Sequence, residues 1–255
     1  MDNSIIELRN LSLTFRNGNG AEVNALEGVN LKIKEGDFIT VVGRNGAGKS
    51  SLLRAIAEYA PTRGQIFYNG TDISGMSHYK RSSFIRYVAQ NTSDIVADSI
   101  SIEEQFSQAM NMGGCLSLRK AVTRNVRIKV KEEHGKLGMG LENRLSENIG
   151  NLSGGERQAV ALLMATVSKP GVLLLDEHTA ALDFKNSATI EEITERLIRE
   201  TSLTTLWVTH NLEQAVKYGD RILVISNGTI CEDLTGRERE NMTGEQLLGI
   251  MHRNM

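Results

Sequence analysis

The stretch GRNGAGKS, Gly43 to Ser50, constrains this chain more tightly than any other. It fits GxxxxGK[ST] and lies between FITVV, a short and nearly all-apolar run, and SLLRAIAEY, which reads as a helix ended by Pro61 and Gly64. Glycines in such a loop let successive backbone N–H groups turn inward around a phosphate, and the helix start adds a favourable dipole. Gly43, Arg44, Asn45, Gly46, Ala47, Gly48, Lys49, Ser50 and the adjoining Ser51 form the expected cradle. Lys49 would reach the β- and γ-phosphates, and the Ser50 hydroxyl would bind Mg²⁺.

The flanking patterns supply the rest of an α/β architecture. LSLTF alternates apolar and polar residues as a half-buried strand does, VNLKIK leads through the turn Lys34-Glu35-Gly36-Asp37 into FITVV, and Asn69-Gly70 marks a turn after GQIFY. From about Asn91 to Asn151 β-branched runs thin out and helical pieces appear, one behind a capping box at Ser101 to Glu104. This predicts an inserted helical lobe over 91–157, with the core in 1–90 and 158–255. From Leu152 onward strands VLLLD, TLWVTH and RILVI alternate with helices, which implies a mainly parallel sheet covered on both faces. Asn227-Gly228 marks a late hairpin.

Two of those strands end in chemistry. VLLLDE finishes on paired carboxylates where parallel sheets hold ligands, at the C-terminal edge. Strand alternation points the two acids differently, so Asp176 is assigned to Mg²⁺ and Glu177 to the general base acting on a water. His210 ends TLWVTH on the same edge, in a position to bond the γ-phosphate or hold that water through Glu177.

Composition narrows the function classes. A formal net charge of -2 gives no reason to expect nucleic acid as a partner. The basic stretch LRKAVTRNVRIKVKEEHGK lacks interleaved aromatics and reads as a solvated helix face rather than a contact for nucleic acid or lipid. No apolar run approaches the ~18 residues of a membrane span, the start is polar where a signal peptide would be apolar, and Cys115 and Cys231 are lone thiols far apart.

Taken together these residues resemble the ATP-binding cassette family, the nucleotide-binding subunits of ABC transporters. GRNGAGKS is similar to its Walker A, Gln90 in YVAQN to its Q-loop glutamine, LSGGERQ to its signature, VLLLDE to its Walker B, AALD (Ala180 to Asp183) to its D-loop and His210 to its switch histidine. The resemblance implies an ATPase with a P-loop nucleotide-binding core, an antiparallel β portion near the start and the helical lobe between Q-loop and signature. ATP and Mg²⁺ are the implied ligands, with Gln90 sensing the metal and γ-phosphate. An aromatic stacking on adenine is also implied; Phe15 stands at the matching place, or else packs in its strand's core.

The implied partners are separate transmembrane permease subunits docking near Gln90, a second copy or paired cassette, and an extracytoplasmic solute-binding protein. The chain would then lie peripherally at the cytoplasmic face of the membrane. DEHTAALD with WVTHN resembles a bacterial importer subgroup associated with small organic solutes, aromatic amino acids among them. His178 departs from the widespread proline of PTSALD, so its backbone is less restrained. The alternative is a non-transport member acting on DNA or in translation, against which stand the lack of long heptad insertions and of a second cassette.

One oddity remains in NLSGGERQ. Ser153 and Glu156 satisfy a capping box, yet the helix opens on Gly154 and Gly155, which are poor helix formers. Residues without a Cβ at a positive helix end allow an anion to approach closely. In the family that anion is the γ-phosphate held by a second subunit, which makes Ser153, Gly154, Gly155 and Glu156 half of a composite site.

Overall fold

The computed structural model describes residues 4–16, 18, 20–91, 96–110 and 122–253. Its long alternating N-terminal stretch forms β1 (Ser4–Arg16), which pairs antiparallel with β2 (Glu22–Lys34) and with β4 (Arg63–Tyr68). The short β5 (Thr71–Asp72) completes a four-stranded sheet ordered β2-β1-β4-β5. Asn69 and Gly70 both take positive φ, 46° and 76°, the pair of values that an Asn-Gly hairpin turn requires.

A second sheet runs in the order β10-β9-β3-β8-β7-β6. β3 (Phe38–Val42) pairs parallel with both β8 (Thr204–Val208) and β9 (Arg221–Ser226), and β7 (Val172–Asp176) pairs parallel with β8. β3, β7 and β8 are buried at every position, as continuous apolar runs in a two-sided parallel sheet should be. β6 (Ile85–Val88) is one edge, and β10 (Thr229–Leu234) joins β9 antiparallel through Asn227-Gly228 at the other.

α1 (Lys49–Ala57) contacts β2 of one sheet and β7 and β8 of the other, and its Leu52, Leu53 and Ile56 are fully buried in the main apolar cluster. Beyond the second sheet's other face, α7 (Leu212–Tyr218) and α9 (Gly244–Arg253) pack with Val42, Ile222 and Val224. α2 (His78–Arg81) and α8 (Gly236–Glu240) are short. The expected class, a mainly parallel sheet with an antiparallel N-terminal portion, is the one observed.

All of these elements up to Tyr87, with Gly171–Glu177 and the chain from Ser202 on, form one compact unit; Val88–Pro170 and His178–Thr201 form another. The second unit is helical: α3 (Ile102–Met110), α4 (Arg124–Gly135), α5 (Gly154–Val167) and α6 (Phe184–Thr201). It takes in more chain than the expected 91–157, because α5 packs on α3 and α6, and a boundary at 157 would cut α5 in its first turn. The Ser101–Glu104 capping box is formed, with the Ser101 amide donating to Glu104 Oε2 at 3.2 Å and the Glu104 amide to Ser101 Oγ at 3.4 Å. Within the basic stretch, α4 buries only Val130 and His134, so its cations are solvated; Leu118 to Ala121 and Cys115 lie outside the described residues. Cys231 is a half-buried free thiol.

Arg81, 1% exposed, is the least expected member of the first unit. Its guanidinium donates to five carbonyls, those of Ala55, Ile56, Ile73, Ser74 and Met76, at 2.8–3.1 Å. Two of them lie in the C-terminal turn of α1, where Arg81 adds to the Glu58 amide's bond to Ala55 and caps Ile56. Arg81→Met keeps the bulk but removes all five donations, leaving the Ala55 and Ile73 carbonyls only the Glu58 and Met76 amides, so it is expected to lower stability by about 3 kcal/mol, read as a shifted urea midpoint.

Candidate active site

The phosphate loop owes its shape to crowding from outside itself. Gly43 (φ +158°) and Gly48 (φ +108°) stand where an added Cβ would come within 2.3 Å of the Ile225 carbonyl and 2.4 Å of the Ala25 carbonyl. The Gly228 amide donates to the Ala47 carbonyl at 2.9 Å, and the Gly228 carbonyl accepts from the Glu27 amide at 2.9 Å. Arg44 to Ala47 line a cavity of about 580 Å³ with Ser226 and Asn227. Arg44, Asn45 and Gly46 are exposed, whereas Ala47, Gly48 and Lys49 are buried.

Lys49 points its ammonium into this loop, donating to the carbonyls of Gly43 at 3.0 Å and Arg44 at 3.1 Å. Glu177 Oε1 is 4.0 Å away. Burial pushes the ammonium's pKa down, and the charges of Glu177 and Asp176 oppose that shift. Ser50, one residue on in α1, donates from Oγ to Asp176 Oδ1 at 2.7 Å. Asp176 is the buried last residue of β7, and Tyr87 from β6 donates to its Oδ2, also at 2.7 Å. Burial chiefly, with Asp176's charge, raises the Tyr87 phenol pKa, so the phenol remains a donor at any working pH.

A hydroxyl beside a carboxylate is an oxygen-only donor set that suits Mg²⁺, which takes few protein ligands and completes its shell with phosphate oxygens and water. Ser50 and Asp176 fit such an ion, since the Ser50 oxygen retains lone pairs while its proton stays on Asp176.

Glu177 leaves β7 in the left-handed region, φ 46°. Its direction is therefore set by this turn and by its amide's bond to the Val208 carbonyl at 3.0 Å, not by strand alternation. The turn brings its carboxylate between Lys49 and His210, whose Nδ1 is 3.6 Å from Glu177 Oε2. Lys49, Ser50, Asp176, Glu177 and His210 thus converge at the ends of the adjacent strands β3, β8 and β7. Phe15 is exposed near the end of β1 rather than packed in the core.

Gln90 and the signature residues belong to the second unit, where Gln90 is exposed two residues past β6. The capping box at α5 is complete: the Ser153 amide donates to Glu156 Oε2 at 2.8 Å and the Glu156 amide to Ser153 Oγ at 3.3 Å. Glu156 Oε1 accepts from Arg144 Nη1 at 2.5 Å, so both its oxygens are held within the chain. Ser153 and Gly154 are exposed. An added Cβ on Gly154 or Gly155 would meet nothing nearer than 3.4 Å, and neither has positive φ, so nothing in their own surroundings demands glycine.

Sequence reading missed Tyr87 and Arg144, both of which act through residues distant in the chain. His178, which stands where the widespread family form has proline, is fully buried with Nε2 3.1 Å from Thr194 Oγ1. Burial pushes its pKa from the ordinary 6.5 down to about 3, so the imidazole is neutral in the fold. The unfolded chain then binds the extra proton between these values, and this residue's contribution is full above pH 6.5 and falls as pH drops toward 3. His178→Gln is expected to reduce the stability lost between pH 7 and pH 5 by about 1–2 kcal/mol, measured by denaturant unfolding at both values.

A family model described as ABC transporter matches residues 26–180. The tyrosine transport ATP-binding protein of Clostridioides difficile is 37% identical over 245 residues, covering 96% of this chain and 97% of that protein. The spermidine/putrescine import ATP-binding protein PotA of Mesoplasma florum is 35% identical over 90% of this chain, which spans 61% of its length. Among solved structures, the dimeric post-hydrolysis state of the ATP-binding cassette MJ0796 bound to ADP and Pi superposes with a TM-score of 0.76 at 25% identity, covering 90% of this chain and 98% of that one. The cbiO1 protein of Clostridium perfringens, part of the ABC transporter complex cbiONQ, gives 0.74 at 25% identity over 98% and 93%.

Proposed function

This chain belongs to the ABC transporter family as an ATP-binding, ATP-hydrolysing subunit, and from that premise we propose that its site hydrolyses MgATP in a head-to-tail pair of cassettes to drive solute import. The observation that carries the reading is the convergence of Lys49, Ser50, Asp176, Glu177 and His210 on one sheet edge, beside a loop in which Gly43 and Gly48 have no room for a Cβ. Loop amides and the start of α1 bind the phosphates, and the Lys49 ammonium pairs with the β- and γ-phosphoryl oxygens. Phe15 stacks on the adenine. Ser50 and Asp176 would hold Mg²⁺, whose charge would offset that developing on the phosphoryl oxygens.

Glu177 polarises the attacking water and takes up its proton at a carboxylate oxygen, while His210 fixes that carboxylate and the γ-phosphate. Ser153 and the amides opening α5 bind the γ-phosphate of a second copy, an arrangement supported by two glycines that nothing in their own chain requires. Glu156 holds that helix end in shape through its cap and Arg144.

The chain reaches the cytoplasmic face of the membrane through permease subunits that dock near Gln90, in a system with an extracytoplasmic solute-binding protein. No helix among the described residues is long and apolar enough to cross a membrane. The names of the relatives, tyrosine transport and spermidine/putrescine import, favour import over a role with nucleic acid. An aromatic amino acid such as tyrosine is the solute class to test first, supported by the relative that matches over nearly its whole length.

Glu177→Gln is expected to bind ATP normally, lose hydrolysis by at least about 100-fold and accumulate an ATP-dependent dimer on gel filtration. Adding Ser153→Arg to that variant should abolish the dimer and leave nucleotide binding intact. Unimpaired turnover in Glu177→Gln would sink its role as base. Purified from its native membranes, the chain should bring down a polytopic membrane protein; recovery with DNA or ribosomes instead would refute the transport reading.

A further inference from the structure

We infer that Tyr87 is a positioning residue for the metal site: its hydroxyl fixes the second oxygen of Asp176, so that the carboxylate is presented in a single orientation. This rests on the reading of Asp176 as a group that holds Mg²⁺ with Ser50.

Asp176 is only 5% exposed, and its two oxygens each accept a 2.7 Å bond from a hydroxyl. The two donors come from different elements, Ser50 from α1 and Tyr87 from β6, the neighbour of β7 in the sheet. Short O–H···O⁻ bonds of this kind are the strong class, and two of them at separate oxygens remove the carboxylate's freedom to rotate about its Cβ–Cγ bond.

Their fates differ once a metal arrives. Ser50 must turn lone pairs to the ion and retains only its proton for Asp176. Tyr87 has no such second task, so its bond is the one that keeps Oδ2 in place while the other side is reorganised.

Tyr87 is itself held. Its ring lies against that of Tyr59, centroids 5.2 Å apart, and Arg54 Nε donates to its oxygen at 3.5 Å. A phenol that accepts from a cation and donates to a carboxylate is polarised in the direction that strengthens the second bond. Tyr87→Phe removes this donor and keeps the ring packing, which makes it a clean variant.

The measurement is Mn²⁺ affinity by electron paramagnetic resonance in the presence of AMP-PNP, on wild type, Tyr87→Phe, Asp176→Asn and the double variant. Binding of trinitrophenyl-ATP in EDTA and thermal midpoints serve as readouts free of metal. Tyr87→Phe should weaken Mn²⁺ binding about tenfold, the usual lower range for loss of a group that orients a metal ligand, and leave nucleotide binding in EDTA within about twofold. The double variant should bind Mn²⁺ no more weakly than Asp176→Asn alone, because Tyr87 acts through that carboxylate.

Unchanged Mn²⁺ affinity in Tyr87→Phe overturns the inference, and so does an equal loss with and without metal, which would mean packing alone. Losses that add in the double variant also overturn it. If Asp176→Asn leaves Mn²⁺ affinity intact, the metal reading of Asp176 itself fails, and Tyr87's role falls with it.

Discussion

Two glycines of the phosphate loop, Gly43 and Gly48, have no room for a side chain, and this close approach ties the loop to both sheets of the first unit. Gly43 is pressed against the Ile225 carbonyl of β9 and Gly48 against the Ala25 carbonyl of β2, strands that belong to different sheets. The loop is therefore the seam where the antiparallel and parallel sheets meet, and the Gly228 turn locks it by bonding to the loop and to β2 at once. Packing of this density transmits displacement rather than absorbing it. A buried ammonium beside it is tolerable only because two loop carbonyls and Glu177 surround Lys49, which ties the loop to the end of β7 as well.

What could be read from the sequence was what local chemistry determines. FITVV and VLLLD are strands at the positions their apolar runs indicate, both Asn-Gly pairs turn with two positive φ values, and both capping boxes form. Motif spacing likewise located the groups that converge at the sheet edge. The misses were of another kind. Arg81 as a buried cap for five carbonyls, Tyr87 on Asp176 and Arg144 on Glu156 each need a partner whose nearness is decided by the fold. The extent of the helical unit was misjudged for the same reason, since composition marks where helices begin but not which helices pack together.

His178 shows how one substitution can move a residue between categories. In the sequence it is a loop histidine beside Glu177, at a position where the widespread family form has proline. In the fold it is fully buried and bonded to Thr194 within the helical unit, away from the groups that surround Glu177. Adjacent residues here belong to different compact units, and adjacency in sequence carries little information about shared function.

The backbone of Glu177 sits in a region that costs an L-residue about 1 kcal/mol or more and a glycine almost nothing. Glycine there, and to a lesser degree asparagine, would relieve the backbone while removing the carboxylate, so the turn that aims this side chain is held at a cost to the fold.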